Sequence, residues 1–396
     1  MKVIIIGAGL AGVATALACR REGIEVDVFE RAPKILPIGA GIQIPPNGAR
    51  VGASLGILQQ TLQKATILDE ITVRRYSDGR LLQRRRLGHR CKEVYGAPWM
   101  VIHRAEYLGI MLEEAEAAGA RIHLAATVVD VHFDKTQVVL EDGRVLEADV
   151  VVGADGLWSV TRDKLLGALS PSVETGDLAY RATFTRAALL SLEDPRVLEL
   201  CSGKSVSIWY GPNKHAVFYP IQAGEQFNLV LIRPDNLSQS VRSEQGDIGE
   251  MRSSFEGWDE RLGNVVLMGD ACHPTLPYQA QGAAMAVEDG AVLAKLLGRY
   301  LYASKAGKPV SEVLKLYESL RKSRTTANVQ GAVNNRHLFH MPDGPEQVHR
   351  DEELMASTYC RPSEYTWLDP QYNMDMLGFD AVKDSEIVIE KWLANI

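Results

Sequence analysis

The sequence predicts an α/β protein: a doubly wound parallel sheet, an antiparallel sheet inserted into it as a second domain, and a helical C-terminal region. Three observations carry that expectation. The chain opens with a β-branched run that meets a glycine-rich turn, a helix and a second strand within thirty residues. Two later apolar runs, at 150–152 and 265–268, each end in glycine and an acid, as buried parallel strands do when they reach a common carboxyl edge. Between them, from about residue 173 to 252, alternating strands joined by turn residues take over.

The opening unit holds the most chemistry. Lys2-Val3-Ile4-Ile5-Ile6 reads as a buried strand, and Gly7-Ala8-Gly9-Leu10-Ala11-Gly12 follows at once. Gly7 permits the tight turn into a helix, Gly9 lets the backbone approach a pyrophosphate, and Gly12 allows close helix packing. The helix start at Leu10 and Ala11 offers unpaired N–H groups and a partial positive charge to phosphates. Gly23 ends that helix, residues 24–29 alternate as a second strand, and Glu30 stands at its carboxyl end with Arg31 beside it. An acid there is placed to accept hydrogen bonds from an adenosine ribose. A secretory signal would need an apolar run uninterrupted by glycines, and its removal would delete the phosphate site.

The chain of 396 residues carries a formal charge of -7 and 46% hydrophobic residues, so nothing global points to nucleic acid or to an anionic membrane. Five widely spaced cysteines without a Cys-x-x-Cys or Cys/His cluster predict reduced thiols, a cytoplasmic location and no bound metal.

Along the chain, Gly39-Ala40-Gly41-Ile42-Gln43-Ile44-Pro45-Pro46 is a glycine- and proline-dense segment opening into a helix, suited to contact with a flat ligand or to a plain turn. Residues 71–86 read as a hairpin about Asp78-Gly79, and the cations Arg84, Arg85, Arg86, His89, Arg90 and Lys92 read as a solvated strand edge, with a binding patch that attracts an NADPH phosphate as the alternative. Residues 101–104 lead into an amphipathic helix with Leu108, Met111, Leu112 and Ala115 on one stripe. Asp155, followed by Ser159, Thr161 and Arg162, is either a ligand-facing acid or a helix cap. In the inserted region His215, Val217 and Tyr219 fall on one face of a strand. Asp270 repeats the acid at the parallel edge, followed by Pro277, Gly282, Ala283 and a long helix. The expected division is 1–72, 97–172 and 260–300 for the nucleotide domain, 73–96 and 173–259 for the substrate domain, and 301–396 for a helical cap.

Together these stretches resemble the class A, single-component flavoprotein monooxygenases. The wording at Gly39-Ala40-Gly41-Ile42, Ile102-His103-Arg104 and residues 281–289 is most similar to the salicylate hydroxylase and 6-hydroxynicotinate 3-monooxygenase group. The resemblance implies a Rossmann-like domain binding FAD, with NAD(P)H as a transient co-substrate. Glu30 would then bind the adenosine ribose, Arg104 the ribityl and phosphate region, and Val128 the adenine through its backbone. Asp155 would shape the pyrophosphate surroundings, Asp270 would hydrogen-bond the ribityl chain, and Pro277 would line the reacting face of the ring. N–H groups near Gly282 and Ala283 would stabilise charge on the reduced flavin, with Gly41 and Gln43 close by. The chain departs from its relatives at Ala283-Ala284, where many carry Gly-x-Asn, and at Gln43, where the 6-hydroxynicotinate enzyme has histidine.

The implied reaction is hydroxylation of a phenolic acid by O2 through a flavin C4a-hydroperoxide, with or without decarboxylation. An oxidase or reductase on the same fold, a hydroxylase of larger metabolites and a redox-inactive FAD module are the alternatives. His215, with an ordinary value near ~6.5, is the candidate base, Tyr219 would orient the phenolate and Arg181 would hold a carboxylate. Each has a structural alternative: a strand histidine, core packing and an ion pair. The expected partners are a small aromatic substrate and O2, with the chain a monomer or homodimer.

Overall fold

The computed structural model describes residues 1–35, 41–170, 175–234, 265–268, 270, 272–303 and 308–394. Pro37, Gly39 and Ala40 of the second glycine segment, Gly269 and Ala271 beside Asp270, and the stretch 235–264 lie outside them, as does the side chain of Arg181.

The opening unit forms as expected. Strand β1 (Lys2–Ile6) runs into helix α1 (Leu10–Arg21) and returns as β2 (Glu25–Phe29). Next come β3 (Gly41–Ile44), helix α2 (Pro46–Ser54) with proline in its first turn, and the short β4 (Thr66–Ile67). The hairpin is β5 (Glu70–Arg75) and β6 (Leu81–Arg86). Strand β7 (Met100–His103) leads into α3 (Arg104–Ala117) and β8 (Arg121–His123), then the meander β9 (Val128–His132), β10 (Gln137–Leu140) and β11 (Val145–Glu147). After β12 (Val150–Gly153) and α4 (Val160–Leu166) come β13 (Asp177–Thr185), β14 (Ser205–Gly211), β15 (Lys214–Ile221) and β16 (Gln226–Pro234). Strand β17 (Val265–Leu267) precedes the helices α5 (Gly282–Ala303), α6 (Val310–His340), α7 (Pro345–Ala356), α8 (Pro370–Leu377) and α9 (Ala381–Leu393).

Five strands make a wholly parallel sheet in the order β17-β12-β1-β2-β8. Side chains alternate along β1, so Val3 and Ile5 join the core under α1, α3 and α5, while Ile4 and Ile6 point the other way. That other face is covered by the three-stranded meander rather than by helices, through Val131, Val138 and Leu140.

The second sheet has the order β13-β16-β15-β14-β5-β6. It is antiparallel except where β5 meets β14, a parallel junction between two visits of the chain separated by more than a hundred residues. The cations of the hairpin arm divide instead of forming one solvated edge. Arg84 and Arg86 are exposed, His89, Arg90 and Lys92 sit on or beside a helical turn, and Arg85 is buried against the rings of Trp99, Tyr359 and Trp367. A guanidinium stacked on aromatic faces and bonded to Asn373 Oδ1 at 3.1 Å is a core residue.

The C-terminal region does more than cap the fold. Leu354, Trp367, Leu368, Met376 and Leu377 complete the core of the mixed sheet, and Ala381 and Ile389 join the core of the parallel one. Its polar composition hides this because some of the polar groups are inside. Arg350 is fully buried, donating to Leu338 O at 2.7 Å and pairing with Asp351. Among the described residues no helix is long and apolar enough to cross a membrane.

Candidate active site

A cleft opens between the carboxyl edge of the parallel sheet and the face of the mixed sheet. On its first wall the glycines divide their work. A Cβ on Gly12 would stand 1.9 Å from Gly7 O, and one on Gly7 would meet Ala154 O at 2.5 Å in a backbone of φ +102°, so both serve packing. A Cβ on Gly9 would meet nothing within 4 Å, and Gly9, Leu10 and Ala11 line the cleft. The α1 start has no side-chain cap and no acid in its first turn. Unopposed N–H groups at a helix start, with backbone open to the cleft, fit an anionic diphosphate.

Glu30 accepts hydrogen bonds from Ala8 N and Ala32 N, both at 2.9 Å, and so pins the glycine turn to the end of β2. Asp155 is occupied by α4: Ser159 Oγ donates to it at 2.6 Å and Thr161 donates through both N and Oγ1 at 3.0 Å. The helix-cap alternative therefore describes its contacts. Its neighbours Ala154 and Gly156 line the cleft instead.

A second helix start meets the cleft beside the first. Gly282, Ala283 and Ala286 of α5 line it, together with Asp270, Thr275, Leu276, Pro277 and Gln281 of the preceding loop. Behind them lies a buried polar network. Asn47 Nδ2 donates to Gln281 Oε1 at 2.9 Å and to Glu288 Oε1 at 2.8 Å. Glu288 also pairs with Arg321 at 2.9 Å and Arg324 at 2.8 Å. Burial works against its ionised form, but Arg324 and Arg321 outweigh burial and hold the carboxyl down to about 2. Asp289 bridges Arg321 Nε at 2.7 Å and His273 Nε2 at 2.6 Å. Burial disfavours the imidazolium, yet Asp289 and Cys272 outweigh it and keep His273 protonated well above its ordinary value. His273 is thus a structural tie from the cleft loop to α5, and through Asp289 to Arg321 of α6. Asp270 is exposed into the cleft but surrounded by protein, and that desolvation raises its carboxyl against the pull of His273 and Arg104.

The third wall belongs to the mixed sheet. His215, Val217 and Tyr219 line the cleft from β15, as the alternation predicts, with Val230 and Ile232 from β16. Arg181 lies on β13 in register with Val230. Tyr219 is buried and its hydroxyl donates to Gly41 O at 2.6 Å, while a Cβ on Gly41 would stand 2.5 Å from the tyrosine ring. Tyr219 therefore packs the mixed sheet against β3, which pairs with β7 in a separate three-stranded sheet with β4, at a glycine where only a missing side chain allows the approach.

His215 differs from expectation. It is buried, its Nδ1 faces His340 Nε2 at 2.8 Å, and burial, with His340 adding to it, pushes its pKa down to about 3. That environment works against a base titrating near neutrality and favours the uncharged imidazole. The partner was invisible in the sequence because it comes from the end of α6, 125 residues away.

Of the other expected cofactor residues, Gly41, Gln43 and Arg104 line the cleft. Arg31 is exposed outside it, and Val128 is buried in the core beneath the meander. Sequence reading missed Thr275, Leu276, Ala280, Val230 and Ile232, whose only signal was proximity to Pro277 or alternation on β16.

A family model described as an FAD binding domain matches residues 1–247 and 249–332. Over 96% of both chains, the sequence is 36% identical to the FAD-dependent monooxygenase OpS4 of Beauveria bassiana. It is 32% identical to the 3-amino-4-hydroxybenzoate 2-monooxygenase of Streptomyces cremeus, over 93% of this chain and 94% of that protein. The chain belongs to the FAD-dependent aromatic monooxygenases. The fold of this monooxygenase matches a salicylate hydroxylase substrate complex with a TM-score of 0.74 at 22% identity, covering 98% of this chain and 97% of that one. FAD is accordingly its cofactor, and the glycine-walled helix start of α1 is the feature of this structure that fits it.

Proposed function

We propose that this enzyme consumes NAD(P)H and O2 to hydroxylate the ring of a phenolic aromatic acid. The observation that carries the reading is the neutral His215, set in an otherwise apolar row of Val217, Val230 and Ile232 and facing the two helix starts across one cleft. An apolar slot with a few polar groups suits a flat aromatic ring. The similarity to an aminohydroxybenzoate monooxygenase supports a phenolic acid as the substrate class.

The N–H groups of Gly9, Leu10 and Ala11 would hold the diphosphate of FAD, with Glu30 at the ribose, Arg104 and Asp270 toward the ribityl chain and Pro277 beside the ring. The N–H groups at Gly282 and Ala283 would stabilise negative charge on the reduced cofactor. When bound and reduced by NAD(P)H, FAD supplies the two electrons with which O2 gives one oxygen atom to the ring and one to water.

His215 then orients the phenolic group. In the tautomer that donates Nδ1–H to His340 Nε2, its Nε2 accepts a hydrogen bond from the substrate O–H and fixes the ring in the slot. Burial lowers the pKa of both imidazoles, so the proton stays shared with the substrate oxygen and does not settle on the pair. Tyr219 shapes the slot.

The test is NAD(P)H oxidation by the flavin-loaded enzyme against a panel of hydroxybenzoates, with O2 uptake, CO2 and peroxide followed together. One acid should stimulate turnover strongly with product formed and little peroxide, and CO2 release tells ring insertion from replacement of the carboxylate. Stimulation by none of them would remove the phenolic-acid reading.

A further inference from the structure

Gln43 is a cleft residue whose amide can point only one way. Trp99 Nε1 lies 3.1 Å from Gln43 Oε1. An indole N–H donates and never accepts, so the amide oxygen must face Trp99 and the NH2 group must take the other position. Trp99 cannot turn to release it. The ring is 1% exposed, packed edge-on against Trp367 at 6.4 Å, with the Arg85 guanidinium 5.9 Å from its centroid. Among the described residues the amide nitrogen meets no protein acceptor.

The side of the cleft it serves follows from β3. Gly41 and Gln43 share one face of that strand, because side chains alternate. At Gly41 this face abuts the Tyr219 and Ile221 side chains of β15, whereas Ile44 on the opposite face belongs to the core of the parallel sheet. Gln43 therefore looks toward the wall that carries His215 and Tyr219, away from the nucleotide half.

We infer that Gln43 is a specificity-determining donor for an oxygen of the aromatic substrate, a carboxylate, phenolate or carbonyl, and that Trp99 is the positioning residue that fixes its polarity. The inference rests on the aromatic-hydroxylase reading for its substrate class but is read by binding alone. A group presenting two N–H bonds favours an anionic oxygen and rejects a ligand donor at that point, because two facing donors leave both unsatisfied.

The experiment titrates the FAD-loaded enzyme with the hydroxybenzoate that most perturbs the wild-type flavin spectrum, and measures FAD retention in parallel. Gln43→Glu keeps an oxygen for Trp99 but turns a donor into a carboxylate oxygen, and should weaken the acid at least tenfold with FAD retention unchanged. Trp99→Phe frees the amide and should weaken the acid several-fold. In a Gln43→Met background Trp99→Phe should add nothing, which a merely structural tryptophan would not show. Binding of the acid within twofold of wild type by Gln43→Glu, a loss falling on FAD instead, or an undiminished effect of Trp99→Phe beside Gln43→Met would each overturn the inference. If the wild type binds the acid and forms no product, the hydroxylase reading fails while the test of Gln43 still stands.

Discussion

The two halves of the cleft are built from different materials. On the parallel-sheet side the groups offered to a ligand are backbone N–H bonds at two helix starts, exposed because Gly9 and Gly282 carry no side chain there. On the mixed-sheet side the lining is side chains whose state is set by distant partners, His215 by His340 and Tyr219 by Gly41, with Gln43 of β3, held by Trp99, turned toward them. Backbone donors cannot be mutated away, only blocked or unfolded. Side-chain donors can be retuned singly, which is where substrate choice can change without loss of the cofactor.

The largest effects should come from blocking the backbone side, and they separate two kinds of glycine. Gly12→Ala places a methyl 1.9 Å from Gly7 O and should leave little folded, yellow protein. Gly9→Ala meets nothing in the protein, at an ordinary φ of -76°, so it should fold with an unchanged melting temperature yet lose FAD. Equal melting temperatures and equal flavin content for both variants and the wild type would erase the distinction.

A smaller loss is expected where the halves are tied together. Asp289→Asn strips a charge from between Arg321 and His273, and breaking such a buried set costs about 3 kcal/mol. Urea unfolding should show it as a lower midpoint at unchanged slope.

An effect that vanishes at neutral pH, where the others are full, is a pH dependence with a definite sign. In the unfolded chain His215 takes a proton as pH falls through about 6.5, whereas in the fold it stays neutral down to about 3. The unfolded state then binds more protons in that window, so this contribution is full above it and is lost as pH falls. Each pH unit between those two values is worth about 1.4 kcal/mol, so the loss is on the order of a few kcal/mol. His215→Asn should flatten the acid limb of stability, and wild-type turnover should show no inflection near ~6.5 from this group. An inflection there that vanishes in the variant would contradict the buried, neutral pair.

This contrast also explains what the sequence could tell. The order of β1, α1 and β2, the hairpin at Gly79 and the shared face of His215 and Tyr219 depend on local spacing and turn chemistry, and all were legible. The state of His215, the burial of Arg85 and the engagement of Asp155 depend on what tertiary packing brings alongside, and local pattern is silent on that. The C-terminal helices were hardest to read because buried polar residues such as Arg350 and Asn335 broke the apolar stripe.

The central claim is transfer of one atom of O2 to a phenolic acid, and isotope labelling tests it most directly. Turnover of the stimulating acid under labelled O2 should give product carrying one labelled oxygen for each NAD(P)H consumed. Label recovered only in peroxide or water, with the acid unchanged, would contradict it.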